Sequence, residues 1–369
     1  MAFFDLSGPE LAAYRGIVKK PADFVKFWST QLAAAREWDL GATFRPVVSG
    51  LNRFTFYDGE YTGFGGQRVK CWYGLPVPAG PDGSPLDFDD WDRQLRSSAP
   101  DGKFPVVVQY HGYGGGRGLP IDNIDFLSAG FGLLVMDLRG QGANWRRGDT
   151  PDGGKLPEGG LNPQVAGFMT RGILAPEKHY FTRLITDAAR AAEAAATAPH
   201  ADGSRTIMVG GSQGGALTIA SAALTSNPAF AEASLKQGWE APDSRVLAAL
   251  PDVPFLCDVP RAIGLVDTVP YVEVAKYLQI HRAIEDRVLR TFSYLDGVNF
   301  AGHGNVPALF STALMDDICP PSTVYAAFNA WAGPKEIEVY RYNGHEGGQR
   351  DQFMKQLAFV SRILDQIRP

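Results

Sequence analysis

The sequence predicts an α/β fold, a mostly parallel and doubly wound sheet with helical and loop insertions. Short apolar, β-branched runs closed by glycine or polar turns recur at FPVVVQYHG from Phe104, FGLLVMDLRG (131–140), RTIMVGGS (205–212), VPALFSTAL (306–314) and EIEVYRY (336–342). Such runs suit strands buried on both faces. Helical patterns separate them at 121–129, the Ala-rich 180–197, 213–226, 321–332 and 346–367. Strand and helix in alternation give a parallel sheet covered on both sides. A Gly-x-Ser-x-Gly stretch also stands where one strand passes into a helix.

The rest is organised around this core. Residues 8–38 read as helical, with Ser7 or a neighbour as cap and Leu11, Phe24, Phe27, Trp28 and Leu32 on apolar faces. Residues 44–76 alternate polar and apolar, as antiparallel strands do. The Pro-, Gly-, Asp- and Ser-rich 78–103 reads as an exposed loop. Residues 140–180 form an excursion at the C-terminal edge of the sheet, and 253–300, with the helical run YVEVAKYLQIHRAIEDRVLR, part of a cap. The expectation is one domain over 1–369, with an N-terminal extension (about 1–78) and insertions at about 140–180 and 253–300. No internal repeat interrupts it.

Composition narrows the function class. With 45% hydrophobic and 20% charged residues the chain is of ordinary globular make-up. A formal net charge of −5 over 369 residues argues against nucleic acid or an anionic membrane as partner. No uncharged apolar stretch approaches a membrane span. Cys71, Cys257 and Cys319 lie far apart in apolar surroundings and read as buried free thiols. The start, MAFFDLSGPELAAYRG, lacks a basic segment followed by an apolar run, so a cytoplasmic location is expected.

The chemistry centres on Gly210-Gly211-Ser212-Gln213-Gly214-Gly215, after the strand RTIMV and opening the helix ALTIASAAL. A serine on a sharp strand-to-helix turn needs small neighbours, because flanking Cβ atoms would collide. The helix N-terminus beneath it favours negative charge developing nearby. A phosphate loop would require a following Lys-Ser/Thr, which is absent. The competing structural reading is a glycine-rich turn with a helix-capping serine. The motif in this context predicts the nucleophile elbow of an α/β-hydrolase fold, whose acid and base follow in chain order from the ends of later strands.

Three histidines lie downstream. His281 is inside a helical run, and His303, in FAGHGNVP, precedes a strand and so stands at the wrong end. His345, in YNGHEGG after EIEVYRY, stands at the right end for a general base. The acid should follow VPALFSTALM, where Asp316 and Asp317 are adjacent; one of them could instead cap the helix beginning near Pro320. Spacing leaves those two even, with Asp252 in LPDVPFLCD, after an earlier strand, as a weaker alternative. One oxyanion donor is expected to be the amide of Gln213; the other is that of Gly112 or Tyr113, in the glycine-rich His111–Gly116 run. His111 precedes the nucleophile and is expected to order that loop rather than carry protons.

Taken together, these residues resemble the acetyl xylan esterase / cephalosporin C deacetylase family (carbohydrate esterase family 7). The family's three-part signature reads here as Arg139-Gly140-Gln141, Gly210–Gly215 and His345-Glu346. Further similar stretches are HGYGGGRG (111–118), GFMTRGI (167–173), DVPFLCD (252–258), YLDGVNFA (294–301), LMDDICPPST (314–323) and AGPKEIEVY (332–340). The resemblance implies a catalytic triad of Ser212, Asp316 and His345, favouring Asp316 over Asp317, and oxyanion amides on Tyr113 and Gln213. It implies that Pro270 and Ile318 wall a small acyl pocket and that Arg139 and Gln141 brace loops near the elbow. It implies deacetylation of xylo-oligosaccharides, other small sugar acetates and cephalosporin C, with no metal or organic cofactor, in a homo-oligomer that is commonly a hexamer. The chain departs from the family in a longer 79–103 loop, in His179 and Phe181 where tyrosines are expected, and in Ala216 where a glycine is common.

Overall fold

Strand-forming runs over 43–75 and from Phe104 onward build one sheet, partly exposed at its two edges and mostly buried between them. The computed structural model describes residues 3–367 apart from 88, 90, 92, 94–98, 100, 154–163 and 232–244. Parts of the expected 78–103 loop and of the 140–180 excursion thus lie outside the described residues. Strands β1 (Thr43–Val47), β2 (Thr55–Thr62) and β3 (Arg68–Leu75) form an antiparallel meander. Strands β4 (Phe104–Tyr110), β5 (Gly132–Met136), β6 (Ala201–Gly211), β7 (Val246–Asp252), β8 (Ala308–Ala313) and β9 (Lys335–Tyr340) run parallel to one another. Among the described residues the sheet has nine strands in the order β1-β2-β3-β5-β4-β6-β7-β8-β9, with β3 antiparallel to β5. This is the mixed sheet of the α/β-hydrolase fold that the elbow motif predicts.

Every residue of β5 and β8 is buried, whereas the edge strands β1 and β9 are half-exposed. Successive side chains feed two core layers. Val106, Val108 and Tyr110 of β4 belong to the core layer that also holds the helices Phe24–Ala35, Tyr180–Ala196 and Pro321–Ala330, while Val107 belongs to the opposite layer with Phe126, Phe359 and Val360. The helix Tyr180–Ala196 turns six buried alanines inward, which lets it lie close against the sheet and the helix Gln213–Ser226.

Three sequence expectations need correction. The 8–38 helix is two helices, Gly8–Ala13 and Phe24–Ala35. Between them Gly16 adopts φ +80°, and Asp258 takes the Ile17 and Val18 amides and the Tyr14 hydroxyl. The cap run breaks at His281 (φ −102°, ψ 57°), leaving Tyr271–Ile280 and Glu285–Ser293. The segment VLAALPD, not among the five parallel runs named above, is the strand β7 beside the elbow; its alanines and leucines favour helix as readily as strand. No helix of the described residues is long and apolar enough to cross a membrane. All three cysteines are buried free thiols, as expected.

Candidate active site

Ser212 is held at φ 57°, ψ −120°, between the end of β6 and the helix Gln213–Ser226. A non-glycine residue with such a backbone is strained and persists only where its surroundings over-determine it. Here they do. Its amide donates to the Asp252 carbonyl and its carbonyl accepts from the Phe255 amide, each at 2.9 Å. A Cβ on Gly210 would come within 2.5 Å of the Gly214 carbonyl, and one on Gly214 within 2.3 Å of the Tyr110 carbonyl oxygen. The glycines are therefore required by close backbone approach as well as by the turn.

Asp316 lies in the turn after β8 and is fully buried. Its Oδ1 accepts the Ile318 and Cys319 amides, both at 2.9 Å, and its Oδ2 lies 2.9 Å from His345 Nδ1. Asp317 is half-buried, and its carbonyl oxygen takes the Thr268 hydroxyl. Neither aspartate caps the helix Pro321–Ala330. That task falls to Asp5, which accepts the Ser322 amide at 2.7 Å and pairs with Arg261. His345 sits in the turn after β9, where Glu346 accepts from the Gly344 amide and the Asn343 side chain. Ser212 and His345 line one open cavity of about 530 Å³, together with Tyr113, Pro270 and Ile318.

The loop after β4 runs beside the nucleophile: a Cβ on Gly112 would be 3.8 Å from that of Ser212. The Tyr113 amide finds no acceptor among the described residues. Gln213 is the first residue of its helix, so its N–H has no intrahelical acceptor. Gln141 ties the two loops together. Its Oε1 accepts the Gly114 amide at 2.6 Å, and its Nε2 donates to Gln213 Oε1 at 2.8 Å and to the Tyr180 hydroxyl at 2.9 Å. Tyr180 in turn donates to the Arg139 carbonyl. Gly140 at φ +68° turns the chain between the two motif side chains. Arg139 is fully buried and bidentate on Asp187; burial disfavours its charge, but Asp187 outweighs that and holds the guanidinium protonated. Glu273, on the helix Tyr271–Ile280, accepts the Tyr113 hydroxyl at 2.8 Å and anchors the loop from the cap side. Trp145 donates to the Tyr113 carbonyl. Glu273 and Trp145 were not singled out from the sequence, and nothing local to either residue signals these contacts.

His111 does not order its loop through its ring. Burial, and then Arg146, hold the imidazole well below its ordinary pKa, and its Nε2 has no partner among the described residues. The ring packs edge-on against Trp145, while its backbone carbonyl accepts from Gln213. His303 stacks on Phe24, and His281 ends its helix against Tyr277.

Asp252, at the end of β7, also lines the cavity. Its carboxylate accepts from Gln352 at 3.0 Å and Gln356 at 2.6 Å, and burial pushes its pKa up to about 7. The spacing of Gln349, Gln352 and Gln356 along one helical face is the signal that could have found this contact. Among the described residues Asp316, Cys319 and His345 form a group with metal-ligating atoms within 4.8 Å of one another. These atoms are already committed. His345 Nδ1 is spent on Asp316, and burial followed by Asp316 pushes the Cys319 thiol well up, so it stays protonated.

A family described as Acetyl xylan esterase (AXE1) matches residues 1–88, 92–237 and 238–363. Acetyl esterase Axe7A of Xylanibacter ruminicola is 25% identical over 356 residues, covering 91% of this chain; the chain spans 66% of that relative's length. Among solved structures, the acetyl xylan esterase from Paenibacillus sp. R4 superimposes with a TM-score of 0.78 at 31% identity, covering 97% of this chain and 100% of its own. Acetyl xylan esterase 1 from Thermoanaerobacterium sp. JW/SL YS485 gives 0.76 at 27% identity, covering 97% and 99%.

Proposed function

We propose that this chain, which belongs to the acetyl xylan esterase family and is thereby a carboxylic ester hydrolase, removes acetyl groups from small acetylated carbohydrates such as xylo-oligosaccharides, and from cephalosporin C, through Ser212, His345 and Asp316. The observation that carries the reading is the buried Asp316 bound to His345 Nδ1, with that imidazole opening onto the cavity that holds Ser212 on its strained turn.

His345 takes the Ser212 proton as the hydroxyl attacks the acetyl carbonyl. Asp316 fixes the tautomer with Nδ1 protonated and Nε2 free to act, and stabilises the imidazolium that forms. The oxyanion accepts hydrogen bonds from the Tyr113 and Gln213 amides, which Gln141 holds in register. The sugar alcohol leaves with the proton from His345, and water repeats the sequence on the acetyl-enzyme. Pro270 and Ile318 face the acyl group.

Ser212→Ala should lower kcat on an acetyl ester on the order of 10⁶-fold, as in a well-studied triad enzyme, and should abolish labelling by a fluorophosphonate probe. Retention of a tenth of the activity, or labelling at another residue, would end the serine-esterase reading.

A further inference from the structure

The cavity has two unlike arms. One is walled by Val269, Pro270 and Ile318 and is apolar. The other lies on the face of the sheet covered by the helices Asp125–Ser128 and Gln349–Ile367. Strand register places it there. Gln109 of β4 pairs with Val209 of β6, Val209 with Leu250 of β7, and Gly211 with Asp252. The side chains of Gln109, Val209 and Asp252 therefore share a face. The glycine at 211 leaves the gap between nucleophile and carboxylate open, for a Cβ there would meet nothing nearer than 3.9 Å.

This second arm is unlike an acyl slot. Phe126 and Phe353 meet edge to face at 5.1 Å and give it an apolar wall. Gln109 and Asp252 line it from the strands, and Gln356 from one turn beyond Phe353 on the same helix. Gln352 and Gln356 each donate to one oxygen of Asp252, and Ser311 also hydrogen-bonds the carboxylate, so that of about four lone-pair sites one remains for a ligand. Gln352 is itself held by the Tyr340 hydroxyl. An apolar occupant would strip water from these groups and leave their remaining hydrogen-bonding capacity unmet. A pyranose presents C–H faces to aromatic rings, and hydroxyls that both donate and accept.

We propose that the arm bounded by Gln109, Phe126, Asp252, Phe353 and Gln356 is the subsite for the sugar leaving group, with Asp252 accepting a hydrogen bond from a hydroxyl of that sugar. The proposal rests on the deacetylase reading above, and it assigns a direction to the ester: acetyl toward Pro270 and Ile318, sugar toward Asp252.

The test compares an acetylated xylobiose with 4-nitrophenyl acetate, whose leaving group offers no hydroxyl to donate. Both are measured on one preparation, so their kcat/KM ratio is independent of the folded fraction. Asp252→Asn replaces an acceptor oxygen by a donor, and at pH 8, above the Asp252 pKa of about 7, the sugar-to-aryl ratio should fall about tenfold or more, the scale of one hydrogen bond to a charged group. The loss should sit in KM rather than kcat, and inhibition of aryl ester hydrolysis by xylobiose should weaken in parallel. If Asp252→Asn yields no folded protein, Gln356→Leu, which leaves Gln352 to hold Asp252, should lower the same ratio. A ratio within twofold of wild type in the variants that fold, with xylobiose inhibition unchanged, overturns the subsite while leaving the esterase reading intact. Failure of the wild type to cleave either ester overturns the esterase reading itself.

Discussion

The end of β7 and the turn after β8 each carry an aspartate, Asp252 lining the cavity and Asp316 behind His345, yet they treat the carboxylate differently. After β8, Asp316 is completely enclosed and its oxygens accept two backbone amides and the His345 ring nitrogen. At the end of β7, Asp252 is half-buried and is met by two neutral carboxamides, with burial pushing its pKa up to about 7. Backbone amides are fixed by the fold and hold the Asp316 carboxylate in one orientation. The partners of Asp252 are instead side chains, Gln352 and Gln356, and Gln356 lines the cavity with it. Asp316 is held in place behind His345, whereas Asp252 presents a polar group to the cavity.

The largest expected effect breaks the β8 turn. Asp316→Asn should cost on the order of 10⁴ in kcat, because an asparagine that donates to Nδ1 leaves the histidine in the wrong tautomer. Asp317→Asn should change kcat little, since the structure engages Asp317 through its backbone carbonyl. It should also leave the melting temperature near wild type, because the helix cap belongs to Asp5. Steady-state kinetics on an acetyl ester ranks the two, and the opposite order would move the acid by one residue.

A smaller effect separates the backbone of that turn from its side chains. The Ile318 amide steadies Asp316 while its side chain lines the apolar arm. Ile318→Ala keeps the amide and removes the wall. Relative activity on butyryl over acetyl esters should then rise by about 1–3 kcal/mol of discrimination, the worth of a methylene or two in a pocket. Acetyl turnover should stay level or fall. A wild type that already prefers butyryl esters would sink the acetyl assignment in favour of a broad short-chain carboxylesterase.

The unequal legibility of the two turns has a physical origin. Ser212 and His345 could be singled out because their constraints are local: glycines at fixed offsets, a strand before, and a helix or tight turn after. Asp316 could not be separated from Asp317 by spacing, since adjacent residues in a turn diverge and the choice is made by amides two and three residues on. The cap supplied by Asp5 spans 317 positions, and the Tyr113–Glu273 contact spans 160, so no pattern in either segment announces them. Asp252 was read only as a weaker candidate for the acid. Its partners lie 100 and 104 residues away, and the strand that carries it is short and alanine-containing.

The smallest expected effect sharpens the contrast through stability and pH. Asp252 has a folded pKa of about 7, against roughly 3.9 for an unfolded aspartate. Between those values the folded chain holds a proton that the unfolded chain has released. Its contribution therefore makes stability fall as pH rises from about 4 to about 7, by at most about 1.4 kcal/mol per pH unit. Other groups act over the same window. Asp296 is also raised to about 7, while burial depresses His179 to about 4 and holds His111 well below its ordinary value, which gives slopes of the opposite sign. These contributions cancel in the difference between wild type and Asp252→Asn. Loss or gain of hydrogen bonds to Gln352 and Gln356 shifts that difference by a constant, and only the titration gives it a slope. Urea midpoints at pH 4.5, 5.5, 6.5 and 7.5 should show the variant gaining on wild type as pH rises, and the gain should level off above about 7. A difference that is flat across the series would mean that water in the open cavity solvates the carboxylate fully, and the contrast would reduce to the partners of each carboxylate, His345 for Asp316 and the two glutamines for Asp252.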